Sequence, residues 1–314
     1  YADLTTKGFE LSVSWRDQFQ LASKPFNYEV RFTLADYQST IDKYNNPEKK
    51  LGDDYYYEGM KVGEIWGYET EGFFTSQADI DSHAKQPYFC AGATAGQWLP
   101  GDIKFKDLNG DGVIDYGNNT VDNPGDQKII GNSEPRFIYG INLSGDWNNF
   151  FVSAFFQGVG KQDWWPGSEA SYFWGMYNRP YNDMPKSHLG NIWTEENPNT
   201  YFPRLRGYSS EEPYAELNLK QTRYLQNIAY IRMKNIQLGY TLPKSFISKL
   251  RMQNAKVYVS GENLWSWSPF YKYSKDLDVE AVRGSDRDLT EGTSGNGYSY
   301  PILKSVSFGL SVTF

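Results

Sequence analysis

The chain is poor in the residues that build disulfides, metal clusters or imidazole chemistry: one cysteine, Cys90, and two histidines, His83 and His188, among 314 residues. A lone cysteine excludes an internal disulfide and a cysteine metal cluster, and reads as an isolated small hydrophobe or free thiol. Two histidines leave few acid–base or zinc arrangements. No run approaches the ~18 apolar residues that a membrane helix needs, so helical spans are excluded. Lys and Arg (31) are outnumbered by Asp and Glu (38), and the net charge of -7 argues against a nucleic-acid partner, which needs a basic face. No convergent acid pair or catalytic triad can be identified, so no enzymatic activity is expected. The chain opens on Tyr1 with neither an initiator Met nor a charged-then-apolar leader, so the start of the gene product is expected to be missing.

Aromatic residues are abundant: 25 Tyr, 19 Phe and 10 Trp make up 17% of a chain that is only 39% hydrophobic. Averages of this kind do not exclude a membrane barrel, because its strands alternate apolar and polar residues. The last residues show that alternation: Val306, Phe308, Leu310, Val312 and Phe314 are interleaved with Ser305, Ser307, Gly309, Ser311 and Thr313. A period of two puts the two sets on opposite faces of a strand. Such a strand suits a soluble sandwich, with its apolar face on a core, or an outer-membrane barrel, with that face on lipid.

The same pattern recurs upstream. Phe9, Leu11, Val13 and Trp15 oppose Glu10, Ser12, Ser14 and Arg16, and after a connector over 17–25, Phe26, Tyr28, Val30, Phe32 and Leu34 oppose Asn27, Glu29, Arg31, Thr33 and Ala35. A second pair follows, 137–144 and 150–156, with Phe151 and Phe155 anomalous on its polar face. A strand over 224–240 changes parity, with Ile231 and Met233 against Ile236, Leu238 and Tyr240; a bulge near Lys234 reconciles them, or the upper half projects beyond the membrane. A turn with a short helix over 241–253 leads to a strand at 255–262 and then the terminal strand, for seven in all. The links after the first, third and fifth strands are short, and those after the second, fourth and sixth are long, at 39–135, 160–223 and 266–301. A short strand is expected at 65–74 within the first of these. Membrane barrels sort their loops by length in this way, with short turns inside the cell envelope and long loops outside. Seven strands do not make the even count of a closed barrel, so further strands are expected before Tyr1.

The ordered series Gly8-Phe9-Glu10-Leu11, Trp66-Gly67-Tyr68-Glu69-Thr70-Glu71-Gly72-Phe73-Phe74 and Gly101-Asp102-Ile103-Lys104-Phe105-Lys106-Asp107-Leu108-Asn109-Gly110-Asp111-Gly112 resembles the SusC/RagA family of TonB-dependent outer-membrane transporters. It continues in order through Ile130-Gly131-Asn132, Pro135-Arg136, Tyr139-Gly140, Phe155-Phe156-Gln157-Gly158, Ile231-Arg232-Met233-Lys234-Asn235-Ile236, Gly239-Tyr240-Thr241-Leu242-Pro243 and Val257-Tyr258-Val259-Ser260-Gly261-Glu262-Asn263-Leu264. The match covers nearly the whole chain and corresponds to the C-terminal part of such a transporter. The resemblance implies an all-β fold: an antiparallel transmembrane β-barrel of 22 strands in the bacterial outer membrane, contacting lipid. Its plug domain and TonB-contacting segment would lie outside this sequence. It implies three kinds of partner: TonB, a SusD-like surface lipoprotein acting as a lid, and an oligosaccharide or peptide substrate. A dimer of transporter–lid pairs is expected on the same ground. The alternative is a soluble or surface-attached β-rich glycan-binding protein.

Three sets of candidate site residues stand out. Asp107, Asn109, Asp111 and Asp115 occupy positions one, three, five and nine of a calcium-type loop, Gly112 takes the turn at six, and Val113 offers its backbone carbonyl. Asn118 stands where a bidentate acid is expected and cannot chelate through two carboxylate oxygens. The other reading of this run is an Asx-rich turn held by its own side chains. In the second long loop, Trp164, Trp165, Tyr172, Trp174, Tyr177 and Tyr181, with Phe173, form an aromatic set suited to sugar stacking, to a partner surface or to packing of the loop on itself. Phe308, Leu310, Val312 and Phe314 resemble the terminal signal read by the outer-membrane assembly machinery. Gly158-Val159-Gly160-Lys161 lacks the spacing of a phosphate loop and is discarded.

Overall fold

The computed structural model describes residues 2–53, 55–86, 97–181, 183–211, 214–282, 297 and 299–314; Cys90 lies outside these. Seven strands form one antiparallel wall: β1 (Asp3–Leu21), β2 (Lys24–Lys43), β3 (Arg136–Trp147), β4 (Phe150–Lys161), β5 (Tyr230–Thr241), β6 (Asn254–Trp267) and β7 (Ser305–Thr313), each paired with its neighbours in chain order.

The register explains the alternation. One row runs across all seven strands as Trp15, Val30, Leu143, Ala154, Ile236, Gly261 and Val306. The next row, on the opposite face, reads Arg16, Glu29, Ser144, Ser153, Gln237, Ser260 and Ser307. Every strand thus turns its apolar set to the same side. That side is open: Phe9, Leu11, Val13, Val152, Leu238, Val257, Phe308 and Leu310 are all exposed, Phe308 by 87%. Burying such side chains is worth about 1.5–3 kcal/mol each, so a wall of them facing water would be strongly unfavourable, and facing lipid is not.

The parity change in β5 is a bulge. The pairing of β5 with both β4 and β6 shifts between Met233 and Asn235, leaving Lys234 as the extra residue, so Met233 and Ile236 both join apolar rows. Phe151 and Phe155, anomalous on the polar face, cover glycines: Phe151 lies over Gly239 and Phe155 over Gly140, where an added Cβ would come within 2.3 and 3.2 Å of the ring. Tyr258 covers Gly309 in the same way. Aromatic rings laid on cross-strand glycines fill a gap on the polar face of the wall.

Two of the short links are two-residue turns, Ala22–Ser23 and Asn148–Asn149, with φ of 48° and 62°, and 47° and 71°. Two positive φ values give the hairpin the twist of its strands. The third link carries the expected helix, Lys244–Ile247, followed by a 3-10 turn, Ser248–Leu250. The long links are 44–135, 162–229 and 268–304. β1 and β2 run further than their alternation suggested, because polar residues such as Gln38 and Thr40 keep the ladder where no apolar face is needed.

Two other expectations change. The strand expected at 65–74 is two strands: Glu64–Tyr68 pairs with Gln127–Asn132, and Thr70–Phe73 pairs with Ile103–Phe105. Residues 224–229 do not extend β5; Gln226–Asn227 pairs instead with Asp163–Trp164 inside the second long link. The main buried cluster lies in the long links. Ile103, Phe105 and Ile114 of the first, Phe173, Trp174, Phe202 and Tyr224 of the second, and Phe270, Leu277 and Val279 of the third pack together. The three links therefore form one cap above an inside-out wall. No helix of the described residues is long and apolar enough to cross a membrane, which says nothing about spanning by strands.

Candidate functional site

The cap is held by buried polar groups that tie its links together. Arg204 donates to the buried Asp102 carboxylate at 2.6 Å, and Arg206 donates to the same carboxylate through its Nε at 2.9 Å and its guanidinium NH2. Glu216 accepts the Ile103 N–H at 2.8 Å and stands 3.7 Å from Arg206. Burial, with Asp102 alongside, pushes the Glu216 carboxyl above the ordinary carboxylate range, and Arg206 and Arg204 pull it back. Gln86 acts as a strand edge in side-chain form, accepting from Phe105 N–H at 2.8 Å and donating to the Ile103 carbonyl at 3.2 Å. Glu211 is buried with neither carboxylate oxygen hydrogen-bonded, and burial holds its pKa well above the usual value.

A cleft of about 520 Å³ opens between the first and second links. Its floor is the strand Glu64–Tyr68, which brings Trp66 and Gly67 beneath the rim, and its walls carry Tyr55, Tyr57, Tyr116 and Tyr214. The volume falls within the ~300–1,000 Å³ typical of small-ligand sites. Tyr57 donates to Glu64 and accepts from Trp66 Nε1 at 3.3 Å, so its phenol is fixed, and burial followed by Glu64 drives its pKa upward. Lys220 spans to Asp53 across the mouth. Tyr116 and Tyr214 face each other with ring centres 6.3 Å apart.

The Asp107–Asp115 run lies beside this cleft in sequence and is spent on backbone amides. Asp107 accepts from Gly110 and Gly112 N–H at 2.6 and 2.9 Å, Asp111 from Val113 N–H at 2.8 Å, and Asp115 from Gly117 N–H at 2.7 Å. Asn109 accepts from the Asp111 N–H at 2.9 Å. The centre of the loop is a residue the spacing did not indicate, Asp126, which accepts from Leu108 and Asp115 N–H at 2.7 and 2.9 Å. Among the described residues no three His, Cys, Asp or Glu side chains converge as a metal site. A cation here would require these carboxylates to turn from the amides to the ion, an arrangement the donor set permits but the present hydrogen bonds do not display.

The aromatic set of the second link divides by burial. Trp164, Trp174 and Tyr177 lie in the cap core, with Tyr177 donating to the Pro203 carbonyl at 2.5 Å, and Trp165 is half-buried against Trp174. Tyr172 and Tyr181, at 57% and 72% exposure, are what this set presents to the outside. Phe308, Leu310 and Val312 share one face of β7, the first two exposed and Val312 half-buried, and Phe314, also exposed, follows the end of the strand. Of the cleft residues, the sequence singles out only Trp66, Gly67 and Tyr68, as part of the family-like series; the run Tyr55-Tyr56-Tyr57 is the local signal that points to the rest.

No family profile matches the chain. It is similar to TonB-dependent receptor P3 of Formosa agariphila, at 26% identity over 99% of this chain and 29% of that protein. It is also similar to TonB-dependent receptor P26 of the same organism, at 29% identity over 82% of this chain and 23% of that protein. The chain thus spans less than a third of the length of these relatives. Among solved structures, it superposes on the RagAB peptide transporter with a TM-score of 0.64, and on the RagAB peptide importer in its "open-open" state with 0.61, each at 18% identity and over 100% of this chain. These cover 30% and 29% of the solved chains, and at that identity they speak for the fold.

Proposed function

We propose that the chain is a portion of a TonB-dependent transporter of the SusC/RagA type, a reading its similarity to two TonB-dependent receptors supports, and that it forms part of an importer in the bacterial outer membrane. The wall spans the bilayer several times and closes into a barrel with strands from the rest of the protein. A SusD-like lipoprotein lid rests on the cap, and oligosaccharides or peptides are captured between them. Import follows on plug rearrangement driven through TonB, with no covalent chemistry in this chain. Transporter–lid pairs assemble as dimers. The observation that carries this reading is the exposed, largely apolar face shared by seven strands beneath a packed cap. A soluble glycan-binding protein would have to cover that face, and among the described residues nothing does. Tyr172 and Tyr181 are assigned to the lid side, Phe308, Leu310, Val312 and Phe314 to recognition by the assembly machinery, and Asp107–Asp115 to a weak calcium site.

The test is extraction of the full protein from its native membrane in mild detergent, followed by native mass spectrometry and uptake assays. Co-purification with a lipoprotein and uptake that stops when TonB is deleted support the proposal. A protein that needs no detergent and travels alone would sink it.

A further inference from the structure

We propose that the cleft between the first and second links binds a short stretch of uncharged sugar rings; this rests on the import reading above and chooses among its substrate classes. The choice follows from what the cleft offers and what it withholds. Tyr55, Tyr116 and Tyr214 are exposed at its rim, and Trp66 lies at its floor. Rings of this kind present large, stiff apolar faces with a polar tip, which match the C–H face and hydroxyl edge of a pyranose. Gln127 and Asn218 border the same space; their amide nitrogens donate within the protein, to Asn119 and Pro124 and to the Glu211 carbonyl, which leaves their amide oxygens as acceptors for sugar hydroxyls.

A peptide would be gripped differently. Extended peptides dock by adding a strand to a free sheet edge. One edge of the floor strand Glu64–Tyr68 pairs with Gln127–Asn132, and the other is closed at its end, where Tyr68 N–H donates to the Lys220 carbonyl at 2.8 Å and the Tyr68 carbonyl accepts from Thr222 N–H at 3.0 Å. That leaves too short a stretch of free edge for a peptide to add a strand of ordinary length. A polyanionic sugar is disfavoured for a different reason. The charged groups lining the cleft are Asp53, Glu64 and Lys220, and Lys220 is already paired with Asp53. The field in the cleft is therefore weakly negative, and a sulfate or uronate would enter against it.

Isothermal calorimetry on the full transporter purified in detergent tests this, with maltohexaose, laminarihexaose, mannohexaose, a sulfated laminarin fragment and hexa-alanine as probes. At least one neutral hexasaccharide should bind, and Tyr214→Ala should weaken it about tenfold or more, with Tyr214→Phe retaining most of the affinity because the ring face is kept. Tyr214 is an exposed rim residue, so the variant is expected to unfold at the same temperature as the parent, which is checked alongside. Binding of hexa-alanine or of the sulfated fragment alone, binding of no member of the panel, or sugar binding indifferent to Tyr214→Ala each overturns the proposal. The assay uses no energised membrane, so it separates the two readings: sugar binding without TonB-dependent uptake would sink the importer alone.

Discussion

The carboxylate of Asp36 on β2 receives both the Nε and the NH2 of Arg136 on β3, at 2.5 and 2.6 Å. The two residues flank the departure and return of the first long link, so the bidentate pair closes that link at its base. Asp36 also accepts from Phe137 N–H at 3.2 Å, where Phe137 holds a φ of 55°. Replacing Asp36 by Asn leaves a half-buried guanidinium without its counter-charge and is expected to cost about 1–3 kcal/mol. Limited proteolysis should report it as faster cleavage within 44–135, with the wall still folded by its resistance to detergent until heated. If cleavage of Asp36→Asn is unchanged, the pair does not hold the link.

The rings on the polar face of the wall make a second prediction. Gly239→Val places a side chain where the Phe151 ring lies, and overpacking of this kind costs about 1–3 kcal/mol. Adding Phe151→Ala should recover part of the loss, because the ring is removed while the Val257 carbonyl, 2.8 Å from the added Cβ, remains. The readout is the temperature at which the detergent-folded wall unfolds on a heat-modifiability gel. Additive losses in the double variant would show that the two residues do not share the space.

The cap contains two buried titratable groups whose effects on stability run in opposite directions. His188 donates from Nε2 to the Phe173 carbonyl at 2.9 Å, its Nδ1 is unpartnered, and burial lowers its pKa. Its folded value is below its unfolded value of about 6.5, so the neutral ring contributes stability above that pH, and this is lost as pH falls through the lowered folded value. Glu211 is shifted the other way by burial, so its contribution is full below its unfolded value of about 4.3 and is lost as pH rises towards the raised folded one. At neutral pH Glu211→Gln should therefore stabilise the cap, by about 1 kcal/mol or more, while His188→Phe should flatten the loss on acidification. Cap unfolding followed by tryptophan fluorescence between about pH 4 and pH 8 separates the two. A Glu211→Gln variant less stable than the parent at neutral pH contradicts the assignment.

Calcium gives the fourth prediction. If the Asp107–Asp115 loop takes the ion with the weak affinity of extracellular sites, about 10⁻⁴–10⁻³ M, then calcium at ten times the dissociation constant stabilises the cap by about 1.4 kcal/mol. The unfolding temperature should rise with calcium and fall back with chelator in the parent, and do neither in Asp111→Asn. Equal unfolding temperatures in both conditions would leave an Asx-turn loop centred on Asp126. Asp126→Ala should weaken the loop with or without calcium, because two backbone N–H groups lose their short acceptor.

The wall was written in local sequence. A period of two needs only neighbours to be read, so the apolar side of each strand and the order of short and long links were visible before any contact was known. The parity change in β5 was visible too, but the pairing of β5 with both neighbours was needed to choose a bulge at Lys234 over an upper half projecting beyond the membrane. Tertiary structure decided the rest. Whether Trp174 and Tyr177 face a partner or a core depends on Phe202 and Tyr224, which stand far along the chain and meet them only when the links fold over one another. Residues 224–229 carry strand-like composition, yet they leave β5 because Gln226–Asn227 finds its partner in Asp163–Trp164. The cleft is likewise made by Tyr55, Tyr116 and Tyr214, whose approach no local period encodes. Alternation records which face of a strand is apolar; which distant residues come to share a space is settled by burial and pairing in three dimensions, after the strands have formed.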